Sequence, residues 1–93
     1  MRLTPDERRI ITAAVAARDP QAQVWLFGSR ADDAKRGGDI DLLVVSEAVG
    51  PREKAAIWWE LQEMLGEQKI DIVLAGEASP SFVELVMEKA VRL

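Results

Sequence analysis

The chain has 93 residues and contains no cysteine, no histidine and no tyrosine. Without cysteine or histidine there can be no Cys/His zinc site, thiol nucleophile, Ser-His-Asp triad or imidazole base. Any bound metal must be a hard cation held by carboxylate oxygens. Any proton transfer must use Asp, Glu, Lys, water or the substrate itself. Long apolar runs are also missing, since none approaches the roughly 20 residues needed to cross a bilayer, and no membrane association is expected. Met1-Arg2-Leu3-Thr4-Pro5-Asp6 leads directly into an amphipathic pattern, which reads as no signal peptide. The absence of cysteine fits a reduced, cytoplasmic setting.

Hydrophobic residues make up 48% and charged residues 30%, a globular balance at a length that suits one domain over residues 1–93. The net charge of −4 is unevenly spread. Residues 1–36 carry seven Lys/Arg against five Asp/Glu, and residues 37–93 carry five against eleven, so the first part is +2 and the second −6. An acidic chain is poorly suited to general nucleic-acid binding, which depends on neutralising phosphates. Arg30, Lys35 and Arg36 gather in one loop, where they would suit a small polyphosphate.

No repeat, linker or low-complexity tract interrupts the chain. Thr4 and Glu7 match a capping box with Pro5 at the first helical position, and Ile10, Ile11, Ala14, Val15 and Ala17 recur at helical spacing until Asp19-Pro20. Val24-Trp25-Leu26-Phe27 predicts a short buried strand ending at Gly28, with Trp25 in the core. Ile40–Val45 predicts a second strand. Gly50-Pro51 opens a long helix with Ala55, Trp58, Leu61 and Leu65 as its apolar stripe and Gly66 as its C-cap. Trp58 and Trp59 stand about 100° apart on that helix, so one is expected in the core and the other outside it. The outer one is either a partner contact or shielded by Arg and Lys stems. Ile70–Ala75 predicts a third strand. Ser79-Pro80 caps a last helix with Phe82, Leu85, Val86 and Ala90 on its apolar side. The order predicts an α/β (α+β) fold, a small mixed sheet with helices packed against it.

Asp39 and Asp41 point to one face of their strand, since side chains alternate. Like charges so placed repel, and a fold tolerates the pair more readily with a divalent cation between them. Asp71 lies within the apolar run Lys69-Ile70-Asp71-Ile72-Val73-Leu74. If the second and third strands are neighbours, it completes a three-carboxylate cluster. Gly28-Ser29-Arg30 follows directly on the first strand. Gly28 permits a turn that a Cβ would hinder, and turns with exposed N–H groups bind phosphate oxygens. No Gly-Lys-Ser/Thr follows, so this is not a Walker A loop. Phosphate donors close to metal-holding carboxylates point to phosphoryl or nucleotidyl transfer with two metals.

Gly28-Ser29, nine intervening residues, Asp39-Ile40-Asp41-Leu42 and later Asp71 together resemble the signature of the DNA polymerase β-like nucleotidyltransferase superfamily. The chain is especially similar to its stand-alone minimal nucleotidyltransferases, over residues 4–90. Many relatives carry a slightly longer connection between the serine and the first aspartate, and Gly37-Gly38 is available to absorb the difference. The resemblance implies a nucleotidyltransferase palm-like fold. It also implies that Asp39, Asp41 and Asp71 form a catalytic site for two Mg²⁺ ions, that Gly28 and Ser29 bind the nucleotide, and that Asp71 receives the acceptor proton. Arg30, whose planar fork suits phosphate, is a further candidate for binding the nucleotide.

Minimal nucleotidyltransferases of this kind pair with a helical HEPN protein in toxin–antitoxin modules. The resemblance therefore implies a hetero-oligomer in which this chain is the antitoxin, moving AMP from ATP to a hydroxyl, often tyrosine, of the partner. Having no tyrosine, the chain cannot modify a tyrosine of its own. Two other readings stand beside this one. In the first, a non-catalytic module neutralises its partner by covering it. In the second, a nucleotidyltransferase acts on a small molecule such as an aminoglycoside.

Overall fold

A computed structural model describes residues 1–32 and 38–93. The expectations for Lys35, Arg36 and Gly37 fall outside the described residues. Helix α1 (Pro5–Ala16) starts where the sequence indicates. The Thr4 N–H donates to Glu7 Oε1 at 2.9 Å and the Glu7 N–H to Thr4 Oγ1 at 3.1 Å, closing both halves of the capping box. Strand β1 (Gln23–Phe27) runs into a 3-10 turn at Gly28–Ala31. Strand β2 (Ile40–Val45), helix α2 (Pro51–Leu65), strand β3 (Ile70–Leu74), helix α3 (Pro80–Met87) and strand β4 (Val91–Arg92) follow.

The sheet has the order β3-β2-β1-β4. β1 runs antiparallel to β2 and β4, whereas β2 and β3 are parallel with α2 as their crossover. The expected mixed sheet is therefore present, with one strand more than the sequence indicated. β4 is only two residues long and carries no alternation to announce it. The helix expected to run to Ala90 ends at Met87, and the chain turns back to pair Val91 with Leu26 and Arg92 with Trp25.

Alternation along the strands creates two different faces. On one, Val24, Leu26, Ile40, Leu42, Val44, Ile70, Ile72 and Leu74 form a continuous core with Ile11, Ala14 and Val15 of α1 and Ile57 and Leu61 of α2. On the other stand Trp25, Phe27, Asp41, Leu43, Asp71 and Val73. Leu43 is fully buried there, and the ring of Phe27 meets that of Phe82 from α3 edge to face at 6.2 Å. β1 is thus buried on alternate residues and not throughout. Trp25 is only partly buried, its indole N–H donating to Gln23 Oε1 at 3.1 Å.

α2 departs most from its expected stripe. The line fully inserted between α1 and the sheet is Ile57 and Leu61, while Ala55 is exposed. Trp58 packs at the core margin and donates its indole N–H to the Ile70 carbonyl at 2.8 Å. Trp59 is the outer tryptophan, 64% exposed, with its ring edge to face with Trp58 at 5.0 Å. On α3 only Val86 is buried. Phe82 and Leu85, expected on its packed side, are 38% and 65% exposed, since no further layer among the described residues covers them.

Candidate active site

The register of the sheet brings the predicted residues into one row. Phe27 of β1 lies opposite Asp41 of β2, and Asp41 lies opposite Asp71 of β3. Asp39, Asp41 and Asp71 share the face away from the main core, with Asp41 and Asp71 directly adjacent. Burial raises the pKa of Asp41 above the ordinary aspartate range, and the charges of Asp71 and then Asp39 raise it further. A hydrogen bond shared with Asp71 acts in the same direction, and Lys69 acts against it.

Asp39 stands somewhat apart, its Oδ2 lying 3.7 Å from Lys69 Nζ in an exposed ion pair. The backbone fixes this arrangement, since the Ile40 N–H donates to the Lys69 carbonyl at 2.9 Å. Among the described residues no three carboxylates are gathered as a ready-made metal-holding group. The donor set of Asp41 and Asp71 nevertheless fits a hard divalent ion. It is all oxygen, Asp41 is half-buried and opposed by the like charge of exposed Asp71, and Asp39 is one alternate residue away on the same face.

Gly28 forms the wall on the other side of Asp41. Its φ is +73°, and a Cβ built there would collide with Oδ2 of Asp41 and come within 3.2 Å of its Cγ. Glycine is required both by the backbone and by the space. Ser29 uses its carbonyl within the fold, accepting from Arg2 Nη2 at 3.0 Å and from the Asp32 N–H at 3.3 Å.

Arg30 points elsewhere. Its guanidinium donates to the carbonyls of Arg2 at 3.0 Å and Gly38 at 3.2 Å and to Gln68 Oε1 at 3.1 Å, with Glu7 Oε1 3.9 Å away. The side chain is only 17% exposed, so Arg30 fastens the turn from behind. Sequence reasoning missed this role and that of its partner Gln68, because long-range side-chain pairs leave no periodic signal.

The cleft that contains Asp41 and Asp71 has a volume of about 760 Å³ and extends over Trp58 and Trp59 of α2 and Phe82 of α3.

Residues 10–93 match the family described as Polymerase beta, Nucleotidyltransferase, and the chain belongs to that family. Its fold is that of the minimal nucleotidyltransferases. One chain of a variant of the toxin–antitoxin complex MntA-HpeT superposes with a TM-score of 0.73 at 20% identity, over 92% of this chain and 70% of that one. A complex of a tri-AMPylated HEPN toxin with its MNT antitoxin from Shewanella oneidensis gives 0.69 at 21% identity, over 94% of this chain and 67% of that one. A structure described as a minimal nucleotidyltransferase gives 0.70 at 29% identity, over 92% and 91%. No curated protein sequence matches the chain significantly. Among the described residues, no helix is long and apolar enough to cross a membrane.

Proposed function

We propose that the chain is a Mg²⁺-dependent nucleotidyltransferase that moves AMP from ATP to a hydroxyl, tyrosine foremost, on a HEPN partner, and so acts as the antitoxin of a toxin–antitoxin pair. The observation that carries this reading is the adjacency of Asp41 and Asp71 on parallel strands with Gly28 closed against Asp41. The Gly28-Ser29 turn would receive the triphosphate through its N–H groups and the Ser29 hydroxyl. Asp39, Asp41 and Asp71 would hold the Mg²⁺ ions, which when bound supply charge neutralisation at the phosphates and acidify the acceptor hydroxyl.

Asp71, at the edge strand, faces the acceptor side and takes the proton as the hydroxyl oxygen bonds to the α-phosphorus. The bond from that phosphorus to the bridging oxygen breaks, and pyrophosphate leaves with the electron pair. Arg30 keeps the turn in position from behind.

Support for a protein acceptor comes from the fold neighbour whose partner toxin is AMPylated. The test is intact mass spectrometry of the HEPN partner after incubation with the chain, Mg²⁺ and each nucleoside triphosphate in turn. A mass increase of whole AMP units with ATP is expected, and its loss in Asp39→Ala/Asp41→Ala. If that double variant transfers AMP as well as wild type, the site is wrong. If transfer stops while the partner is still neutralised in cells, covering of the partner replaces chemistry as the function.

A further inference from the structure

The cleft at the carboxylate pair extends well beyond what the pair requires. Its α2 wall is made by Pro51, Lys54, Ala55, Trp58 and Trp59, which fall at helical spacing on one face. α2 therefore carries two apolar faces. Ile57 and Leu61 are covered by the core, whereas on the second face Trp58 is half-buried at the core margin and Ala55 and Trp59 are exposed. A helix apolar on two sides normally has a partner on each.

We propose that this cleft is the acceptor subsite and that its occupant is a polypeptide segment of a partner protein, gripped by Trp59 and Phe82 while its hydroxyl reaches Asp71. The proposal rests on the nucleotidyltransferase reading and names the residues that choose the acceptor.

Position is the first argument. The glycine-serine turn follows β1, on one side of Asp41, and Asp71 lies on the other side, on edge strand β3. The α2 wall adjoins edge strand β3, where Trp58 donates to the Ile70 carbonyl, while Phe82 closes the cleft against Phe27.

Chemistry is the second. Among the described residues, the charged groups lining the cleft besides Asp41 and Asp71 are Lys54 and Glu77, and the rest of that lining is apolar. A sugar-like acceptor presents many hydroxyls that such walls would leave unpaired after desolvation. A peptide with apolar side chains flanking its hydroxyl residue fits them.

Pre-organisation is the third. Trp58 is pinned by its hydrogen bond to the Ile70 carbonyl, and Trp59 rests against it edge to face. Trp59 is thus an exposed aromatic anchor held before binding, the kind of side chain that dominates protein interfaces. Leu85, 65% exposed on α3, extends the apolar surface past the cleft and suits a partner larger than a small molecule.

The experiment is isothermal titration of the full chain with three probes: the blocked peptide acetyl-Ala-Leu-Tyr-Leu-Ala-amide, kanamycin, and ATP with Mg²⁺. Trp59→Ala and Phe82→Ala are expected to weaken the peptide about tenfold or more, a loss typical of an anchor residue. Trp59→Phe should restore much of the binding, while ATP affinity stays within about twofold. Because Trp59 is largely exposed, its variants are expected to fold, and thermal melts check this.

Failure of the wild-type chain to bind the peptide, or binding indifferent to Trp59 and Phe82, overturns the proposal. Kanamycin binding that is lost in the same variants also overturns it, in favour of a small acceptor. ATP binding weakened in step with the peptide would make the cleft a nucleotide site instead. If the peptide binds as expected but no AMP reaches any hydroxyl, the nucleotidyltransferase reading fails and the polypeptide-binding cleft stands.

Discussion

Gly28 and Asp41 are packed so closely that a single methyl group on the glycine would displace the carboxylate. Gly28→Ala therefore forces two changes. The backbone at φ +73° becomes unfavourable by about 1–2 kcal/mol for a residue with a Cβ, and the Asp41 carboxylate must move away from position 28 and out of its present place in the row. The expected outcome is a fall in melting temperature together with near-complete loss of AMP transfer, measured by thermal unfolding and by mass spectrometry of the acceptor. A destabilised variant with full transfer would show that Asp41 does not need its present position.

Asp41 itself ties the site to stability. Its carboxyl titrates above the ordinary aspartate range, because burial first and the charges of Asp71 and Asp39 next oppose its ionised form. The folded state then binds the proton more tightly than the unfolded chain. From this group, stability falls as pH rises from the ordinary aspartate range through the elevated folded value, and the cost is fully present at neutral pH. Asp41→Asn is expected to melt higher than wild type at neutral pH in chelated buffer. The advantage should shrink as pH drops below the ordinary aspartate range, while transfer activity is lost. Melting curves across pH in EDTA check both the sign and the window.

Much of this was legible in the sequence. The capping box, the Gly50-Pro51 start and Gly66 stop of α2, the three main strands and the shared face of Asp39 and Asp41 all follow from local rules acting over a few residues. The adjacency of Asp71 was conditional on strand order, and the parallel β2–β3 pairing supplies it. What escaped is non-local. β4 is too short to carry a pattern. Of the expected α2 stripe, Leu61 is buried in the core and Trp58 and Leu65 pack against it, while Ala55 is exposed beside the cleft, because periodicity marks an apolar face without saying what covers it. The expectation that Arg30 meets phosphate rested on charge and loop position. The sequence could not reveal that Glu7, Gln68 and the Arg2 carbonyl come together around it.

In the proposed mechanism Asp71 has a narrower task than Asp41, since it would face the acceptor at the edge strand. Asp71→Asn keeps the shape and removes the proton acceptor, so transfer should drop by about 10²–10⁴-fold. ATP affinity should change far less than in Asp41→Asn. Metal removal gives the companion result: EDTA should stop transfer in wild type, and added Mg²⁺ should restore it. Rate and ATP-binding measurements on the two variants side by side test the division of roles, and equal loss of ATP binding in both would refute it.

Arg30 offers the clearest separation between a ligand-binding and a scaffolding role. Its guanidinium ties the 3-10 turn to the N-terminal segment, to Gly38 and to Gln68, and Arg2 returns the tie by donating its backbone N–H to the Arg30 carbonyl at 2.8 Å. Arg30→Ala removes the guanidinium's hydrogen bonds, two of them to the half-buried Arg2 carbonyl and Gln68 Oε1, which should cost about 1–3 kcal/mol of stability. Arg30→Lys should recover little, because one ammonium cannot reproduce a planar fork reaching three acceptors. The phosphate-contact role expected from charge alone gives the opposite pattern, an unchanged melting temperature and an increased KM for ATP that lysine partly repairs. Thermal unfolding and ATP kinetics on the two variants decide between them, and the geometry of the fork predicts that stability moves first.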